Sequence, residues 1–159
     1  MPRTPSLHGK ARGWPCTKMG REANMFAGFE HAAIAAHDSK GLADWYIKIF
    51  GLRVVYDNGK TPPTYLLSAP DGTVIEIMPA ACEDRTIYGQ YAPGLRHLAI
   101  AVPDFEAALD HLRKHGVEAF FDYRPSEASK LIFFRDPEGN ILHLIWRAGP
   151  LISGAKKGL

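Results

Sequence analysis

The stretch His31-Ala32-Ala33-Ile34-Ala35-Ala36-His37-Asp38 returns 66 residues later as His97-Leu98-Ala99-Ile100-Ala101-Val102-Pro103-Asp104. A second pair of stretches matches at nearly the same spacing. Gly72-Thr73-Val74-Ile75-Glu76 comes back 67 residues on as Gly139-Asn140-Ile141-Leu142-His143. Self-similarity at a fixed spacing means that one structural unit is used twice. Each unit offers one side chain able to bind a metal near its start and one near its end: His31 with Glu76, and His97 with His143. Two such units facing each other would bring four ligands to one point.

The sequence between these landmarks gives the same element order in both halves. Residues 29–36 alternate as a strand. Asp38 or Ser39 caps a helix reaching Phe50, with Leu42, Trp45, Tyr46 and Ile49 on one apolar face and Gly51 as its stop. Strands follow at 52–56, 64–68 and 73–78, separated by the Asn58-Gly59 loop and the Pro70-Asp71-Gly72 turn. Residues 79–94 read as a linker. The second unit places strands at 96–102, 117–121, 130–134 and 141–146. Its helix starts at Asp104, carries Phe105, Ala108, Leu109 and Leu112 on one face, and ends at Gly116. The expected architecture is α+β. Two tandem βαβββ modules, 27–79 and 94–147, form a curved mixed sheet around a central cavity. Residues 1–26 form an extension outside the fold, and 148–159 a loose tail.

Strand alternation sorts the side chains by face. His31, Ala33 and Ala35 share one face and Ile34 takes the other; His97, Ala99 and Ala101 share one face, and Leu98, Ile100 and Val102 take the other. Large aliphatics pack beneath helices, whereas alanines beside a polar group leave space for a ligand.

Composition narrows the function classes. With 46% hydrophobic and 23% charged residues in 159, the chain matches soluble globular averages, and it has no apolar run long enough to span a bilayer. The net charge of +2 is uneven. Residues 1–24 hold five basic side chains and one acid, the tail adds Lys156 and Lys157, and the body between is acidic. That distribution does not make a nucleic-acid face. Cys16 and Cys82 are too few for a disulfide framework and stand beside no second cysteine. They read as reduced thiols in a cytoplasmic protein.

The motifs Glu30-His31-Ala32-Ala33-Ile34-Ala35, Trp45-Tyr46-Ile47-Lys48-Ile49-Phe50-Gly51-Leu52, Gly72-Thr73-Val74-Ile75-Glu76, Arg96-His97-Leu98-Ala99-Ile100-Ala101-Val102 and Phe134-Arg135-Asp136-Pro137-Glu138-Gly139-Asn140 together resemble the vicinal oxygen chelate superfamily. Its members include glyoxalase I, extradiol dioxygenases, methylmalonyl-CoA epimerase, and fosfomycin- and bleomycin-resistance proteins. The resemblance covers roughly residues 27–146. It implies two βαβββ modules around a metal and substrate cavity, with ligands from the first and last strands of each module. By position those are His31, Glu76, His97 and His143. The last departs from the common pattern, because glyoxalase I, the epimerase and the dioxygenases resemble one another in having Glu where this chain has His143.

Three imidazoles and one carboxylate suit Zn, Ni, Co, Fe or Mn. An octahedral ion held by four side chains keeps two adjacent positions for a substrate with neighbouring oxygens, and would stabilise charge developing on it. Glu76 is the first candidate for the catalytic base that removes a proton beside the carbonyl, and a metal-bound hydroxide the second. His37 reads as a turn residue, His111 and His115 as cations suited to a helix C-terminus, Asp136 and Asn140 as turn chemistry, and Arg135 as a residue near a pocket rim. Tyr123 and Arg124 read as part of a solvated loop, with a loop covering the cavity as the alternative. The expected function is a metal-dependent lyase or isomerase acting on a small substrate with vicinal oxygens, in a homodimer. The alternatives are a non-catalytic, ligand-sequestering protein of the bleomycin-resistance type, and a ring-cleaving dioxygenase.

Overall fold

A computed structural model describes residues 29–81, 93–120 and 125–150. The first module runs β1 (Ala32–Ala36), α1 (Ser39–Phe50), β2 (Arg53–Asp57), β3 (Tyr65–Ser68) and β4 (Val74–Pro79). The second runs β5 (Leu98–Ala101), α2 (Phe105–Lys114), β6 (Ser129–Arg135) and β7 (Ile141–Arg147). The extension, the last nine residues, both cysteines, and Tyr123 and Arg124 lie outside the described residues. The two helices are short, and no described helix is long and apolar enough to cross a membrane.

Both helices begin as their sequence dictates. The Asp38 carboxylate accepts from the Gly41 N–H at 2.8 Å, and the Asp104 carboxylate accepts from the Ala107 N–H at 3.0 Å. Each satisfies one of the donors that a first turn leaves unpaired. Helix α1 stops at Gly51, whose φ of +66° is the left-handed conformation that lets its N–H turn back to the Ile47 carbonyl.

The strands form two sheets, ordered β1-β4-β3-β2 and β5-β7-β6. In each sheet the first strand is an edge and pairs in parallel with the last strand of its module. The two modules differ in one respect. Of the strand expected at 117–121, the described residues form a bridge between Ala119 and Phe134, with the Phe120 N–H donating to the Phe133 carbonyl at 3.1 Å; Phe121 lies outside the described residues. Glu118, Ala119 and Phe120 are exposed, so among the described residues this segment has neither a second neighbour nor a buried face to extend a ladder.

One core serves both modules. Leu42, Tyr46, Ile49, Leu67 and Ile77 from the first pack in a single cluster with Phe105, Leu109, Leu112, Phe134, Leu142 and Leu144 from the second. Each such side chain, fully buried, contributes about 1.5–3 kcal/mol by transfer from water. Polar contacts stitch the same joint. The buried Tyr46 hydroxyl donates to Asp136 at 3.1 Å, and Asp136 also accepts from the Asn140 backbone N–H and side-chain amide, both at 2.8 Å. Burial raises the Asp136 pKa, and these hydrogen bonds pull against that rise. Burial, then the Asp136 charge, pushes the Tyr46 phenol up strongly. Glu138 accepts from the Asp38 N–H and meets His37 Nδ1, both at 3.0 Å, while His111 Nε2 meets the Ile49 carbonyl at 3.0 Å. His37 and Asp136 therefore do more than turn the chain; they join the halves.

Candidate metal centre

The repeat survives into the register. Ala33 lies opposite Glu76 in the β1–β4 pairing, and Ala99 lies opposite His143 in the β5–β7 pairing. Parallel neighbours at the same level point to the same side of a sheet. Each early histidine, two residues before its alanine, therefore projects on the same face as the late ligand of its own module. The alternation is as expected: Ile34, Leu98, Ile100 and Val102 pack on the core, while Ala33, Ala35, Ala99 and Ala101 are exposed.

The first pair is an imidazole with a carboxylate. His31 Nε2 stands 3.4 Å from Glu76 Oε2, with both side chains partly shielded. His31 Nδ1 also contacts the Glu30 carboxylate. The hydrogen bond to Glu30, aided by the charges of Glu30 and Glu76, raises the His31 pKa above its ordinary value.

The second pair is two imidazoles. The rings of His97 and His143 lie 4.7 Å apart between centroids. Phe133, opposite His143 in the β6–β7 register, sits 4.9 Å from the His143 ring and edge-on to His97 at 5.6 Å. Burial, then the neighbouring His97 and Arg147, pushes the His143 pKa down to about 4. Its Nδ1 is buried and has no hydrogen-bond partner among the described residues. A buried nitrogen without a partner costs free energy unless something binds it. A neutral imidazole with a free lone pair, beside a second imidazole, fits a divalent cation, and so does the carboxylate–imidazole pair across the repeat.

The fold joins ligands two by two and does not gather all four in one chain. Both histidine faces turn away from the core that the modules share, and among the described residues β1 and β5 are edge strands of separate sheets, each paired on one side. Among the described residues no three His, Cys, Asp or Glu side chains stand close enough to hold a metal ion. A cavity of about 420 Å³ lies on the helix side instead, lined by Leu109, Leu112, Val117, Ile132 and Phe134 among others, and none of the four candidate ligands borders it.

Sequence reasoning did not single out Phe133, although the alternation of β6 against β7 carries the signal. It placed Arg135 near a rim. The structure stacks that guanidinium 4.7 Å from the centroid of Phe120.

Two tandem modules, each a strand and a helix followed by further strands, with candidate ligand pairs at the start of the first strand and on the last, define the class as a duplicated α+β protein. The sequence profile of the Glyoxalase/Bleomycin resistance protein/Dioxygenase superfamily matches residues 28–144, and the chain belongs to this family. It is 31% identical over 118 residues to the uncharacterized protein YaeR of Escherichia coli K12, covering 72% of this chain and 92% of that one. Among solved structures, a glyoxalase family protein from Enterococcus faecalis is similar at 26% identity and a TM-score of 0.59, covering 76% of this chain and 98% of its own. The fold is shared with the fosfomycin resistance protein FosX of Listeria monocytogenes, solved in complex with Mn(II) and sulfate. There the identity is 21% and the TM-score 0.60, over 80% of this chain and 94% of FosX.

Proposed function

We propose that this chain is a metal-dependent lyase or isomerase of glyoxalase type, acting on a small substrate with vicinal oxygens. We place its metal centre between two copies of the chain. The observation that carries this reading is the His97–His143 pair, with its buried, unpartnered Nδ1, standing at the repeat-equivalent position to His31–Glu76. In a homodimer, His31 and Glu76 of one protomer face the partner's His97 and the partner's His143. Three features support this arrangement: the exposed alanine faces, the free edges of β1 and β5, and the separation of the two pairs within one chain. Manganese in the related FosX fold supports a divalent ion.

Such an ion, held by these four side chains, would supply Lewis acidity to two neighbouring substrate oxygens. The chain's own residues do the rest. Glu76, partly shielded at 26% side-chain exposure, is the only carboxylate in the ligand set and carries the proton transfer alone. In a hydroxycarbonyl substrate it would take the proton from the hydroxyl-bearing carbon and return one to the former carbonyl carbon, while the hydroxyl proton passes to the former carbonyl oxygen. Held on a carboxyl in between, the carbon's proton exchanges with solvent, which is the exchange the test reads. His31 Nε2 stands 3.4 Å from the Glu76 carboxylate, close enough to orient it. The small side chains of Ala33, Ala35, Ala99 and Ala101 leave the floor clear for substrate.

The test is metal analysis of the purified protein, followed by deuterium exchange at the carbon beside the carbonyl of a 2-oxoaldehyde, an acyl-CoA ester and a hydroxyketone. Bound divalent metal and Glu76-dependent exchange with one of them are expected. Metal-free protein that binds a ligand without exchange would instead indicate the sequestering role.

A further inference from the structure

We propose that Arg135 determines substrate specificity by binding an anionic oxygen group, a carboxylate or phosphoryl, at the end of the substrate remote from the reacting oxygens. The inference rests on the metal-centre reading above only in placing the reacting end at the His97–His143 pair.

The placement follows from the register. Phe133 lies opposite His143, and Arg135 lies opposite Ile141. Residues two apart in a strand share a face, so Arg135 stands one pleat repeat from Phe133, roughly 7 Å along β6 on the histidine face. Its guanidinium is held in two ways. Nη1 donates to the Gly139 carbonyl at 2.7 Å, and Cζ stacks 4.7 Å from the centroid of the Phe120 ring. Phe120 is in turn tied to the same strand by its N–H bond to the Phe133 carbonyl, and its ring sits 6.4 Å from that of Phe133. Arg135, Phe120, Phe133 and the two imidazoles thus form a continuous row.

β5, β6 and β7 contain no Asp or Glu, and Arg147 adds a second cation at the far end of β7's histidine face. The nearest acid by register is Glu118, opposite Arg135 across the Ala119–Phe134 bridge, and the guanidinium contacts Gly139 and Phe120 instead. Glu138 and Asp136, in the turn after Arg135, are engaged by α1, through Asp38 and His37 and through Tyr46 respectively. An exposed guanidinium fixed by one carbonyl and one ring is pre-organised for a planar anion and loses little freedom on binding.

Two acids of equal length separate this contact from the metal's. Both 2-oxoglutarate and 2-oxopentanoate carry vicinal oxygens at one end, and only the first has a carboxylate at the other. Titration calorimetry on the full-length, metal-loaded protein is expected to show 2-oxoglutarate binding at least about tenfold tighter. Arg135→Gln should bring that ratio close to one, with metal content and the affinity for 2-oxopentanoate retained. Phe120→Leu, which frees the guanidinium without removing it, should reduce the ratio only a few-fold. Equal affinities in the unsubstituted protein, or a ratio that survives Arg135→Gln, would overturn the inference. If the protein takes up no metal, the metal-centre reading fails separately. The same two acids are then compared on the metal-free protein, where the ratio again decides for or against Arg135.

Discussion

The two halves of this molecule place their candidate ligand pairs at equivalent positions, at the same register and on the same side of their sheets, and treat them in opposite ways. In the first half His31 keeps company with carboxylates, and its protonated form is favoured. In the second half His143 keeps company with His97, Phe133 and Arg147 in a more buried setting, and its neutral form is favoured down to about pH 4. A single difference in the repeat, Glu76 in one half and His143 in the other, leaves the first half with a carboxylate beside its imidazole and the second with two imidazoles. The fold is duplicated; the chemistry is divided.

Removing a donor from either half is expected to have the largest effect. His97→Ala, His143→Ala and His31→Ala should each weaken metal binding by about a hundredfold or more, beyond what loss of an outer contact costs, as read by competition with a coloured chelator. Glu76→Gln should retain part of the metal affinity while abolishing proton exchange, because only the first half supplies a base. Equal metal loss and equal exchange loss across all four would erase the division between halves.

The joint between the halves comes next. Asp136→Ala strands the buried Tyr46 hydroxyl and the Asn140 amide, and should cost about 3 kcal/mol; Tyr46→Phe, which removes one donor, should cost about 1–2 kcal/mol. Urea denaturation measures both. Additive losses in the double variant would show that the two groups do not act through each other.

His143→Glu makes the second half a copy of the first. It should shift metal preference toward manganese by about tenfold relative to zinc, since carboxylate oxygen suits manganese and imidazole suits zinc. Metal competition at fixed pH gives the ratio.

The smallest effect is in the pH dependence of stability, and its sign differs between halves. The unfolded chain protonates His143 near the ordinary value of 6.5, whereas the folded chain holds it neutral to about 4. Its contribution is present in full above pH 6.5 and is lost as pH falls through that window. His31 is shifted the other way, so its contribution is present below pH 6.5 and is lost as pH rises through its raised folded value. Urea midpoints of the metal-free protein between pH 4 and 8 should lose their acid-side decline in His143→Gln, and should rise slightly on the alkaline side relative to the acid side in His31→Gln.

Much of this was legible in the sequence because strand alternation and helix caps are local. The offset between Glu76 and His143 carried through to their pairing with Ala33 and Ala99, and Asp38, Asp104 and Gly51 cap their helices as their residue types dictate. What was not legible depends on contacts distant in sequence. The segment after Val117 has strand-forming residues, but edge position leaves it one bridge. Asp136 reads as a turn residue from its neighbours, and nothing nearby announces Tyr46, 90 residues away. Alternation told which face of each sheet the histidines take, but not that the two faces fail to converge within one chain, which follows from how the modules pack on each other.

The central claim, a metal centre built from the first half of one chain and the second half of another, is tested most directly by complementation. Chains carrying His31→Ala and chains carrying His143→Ala are produced with different tags, co-expressed, and the mixed dimers isolated. Each variant alone should hold little metal, and the mixed dimer should hold about half the content of the unsubstituted dimer, because one of its two shared sites is intact. Mixed dimers with no more metal than either parent, or unsubstituted protein that is monomeric and fully loaded, would contradict the account.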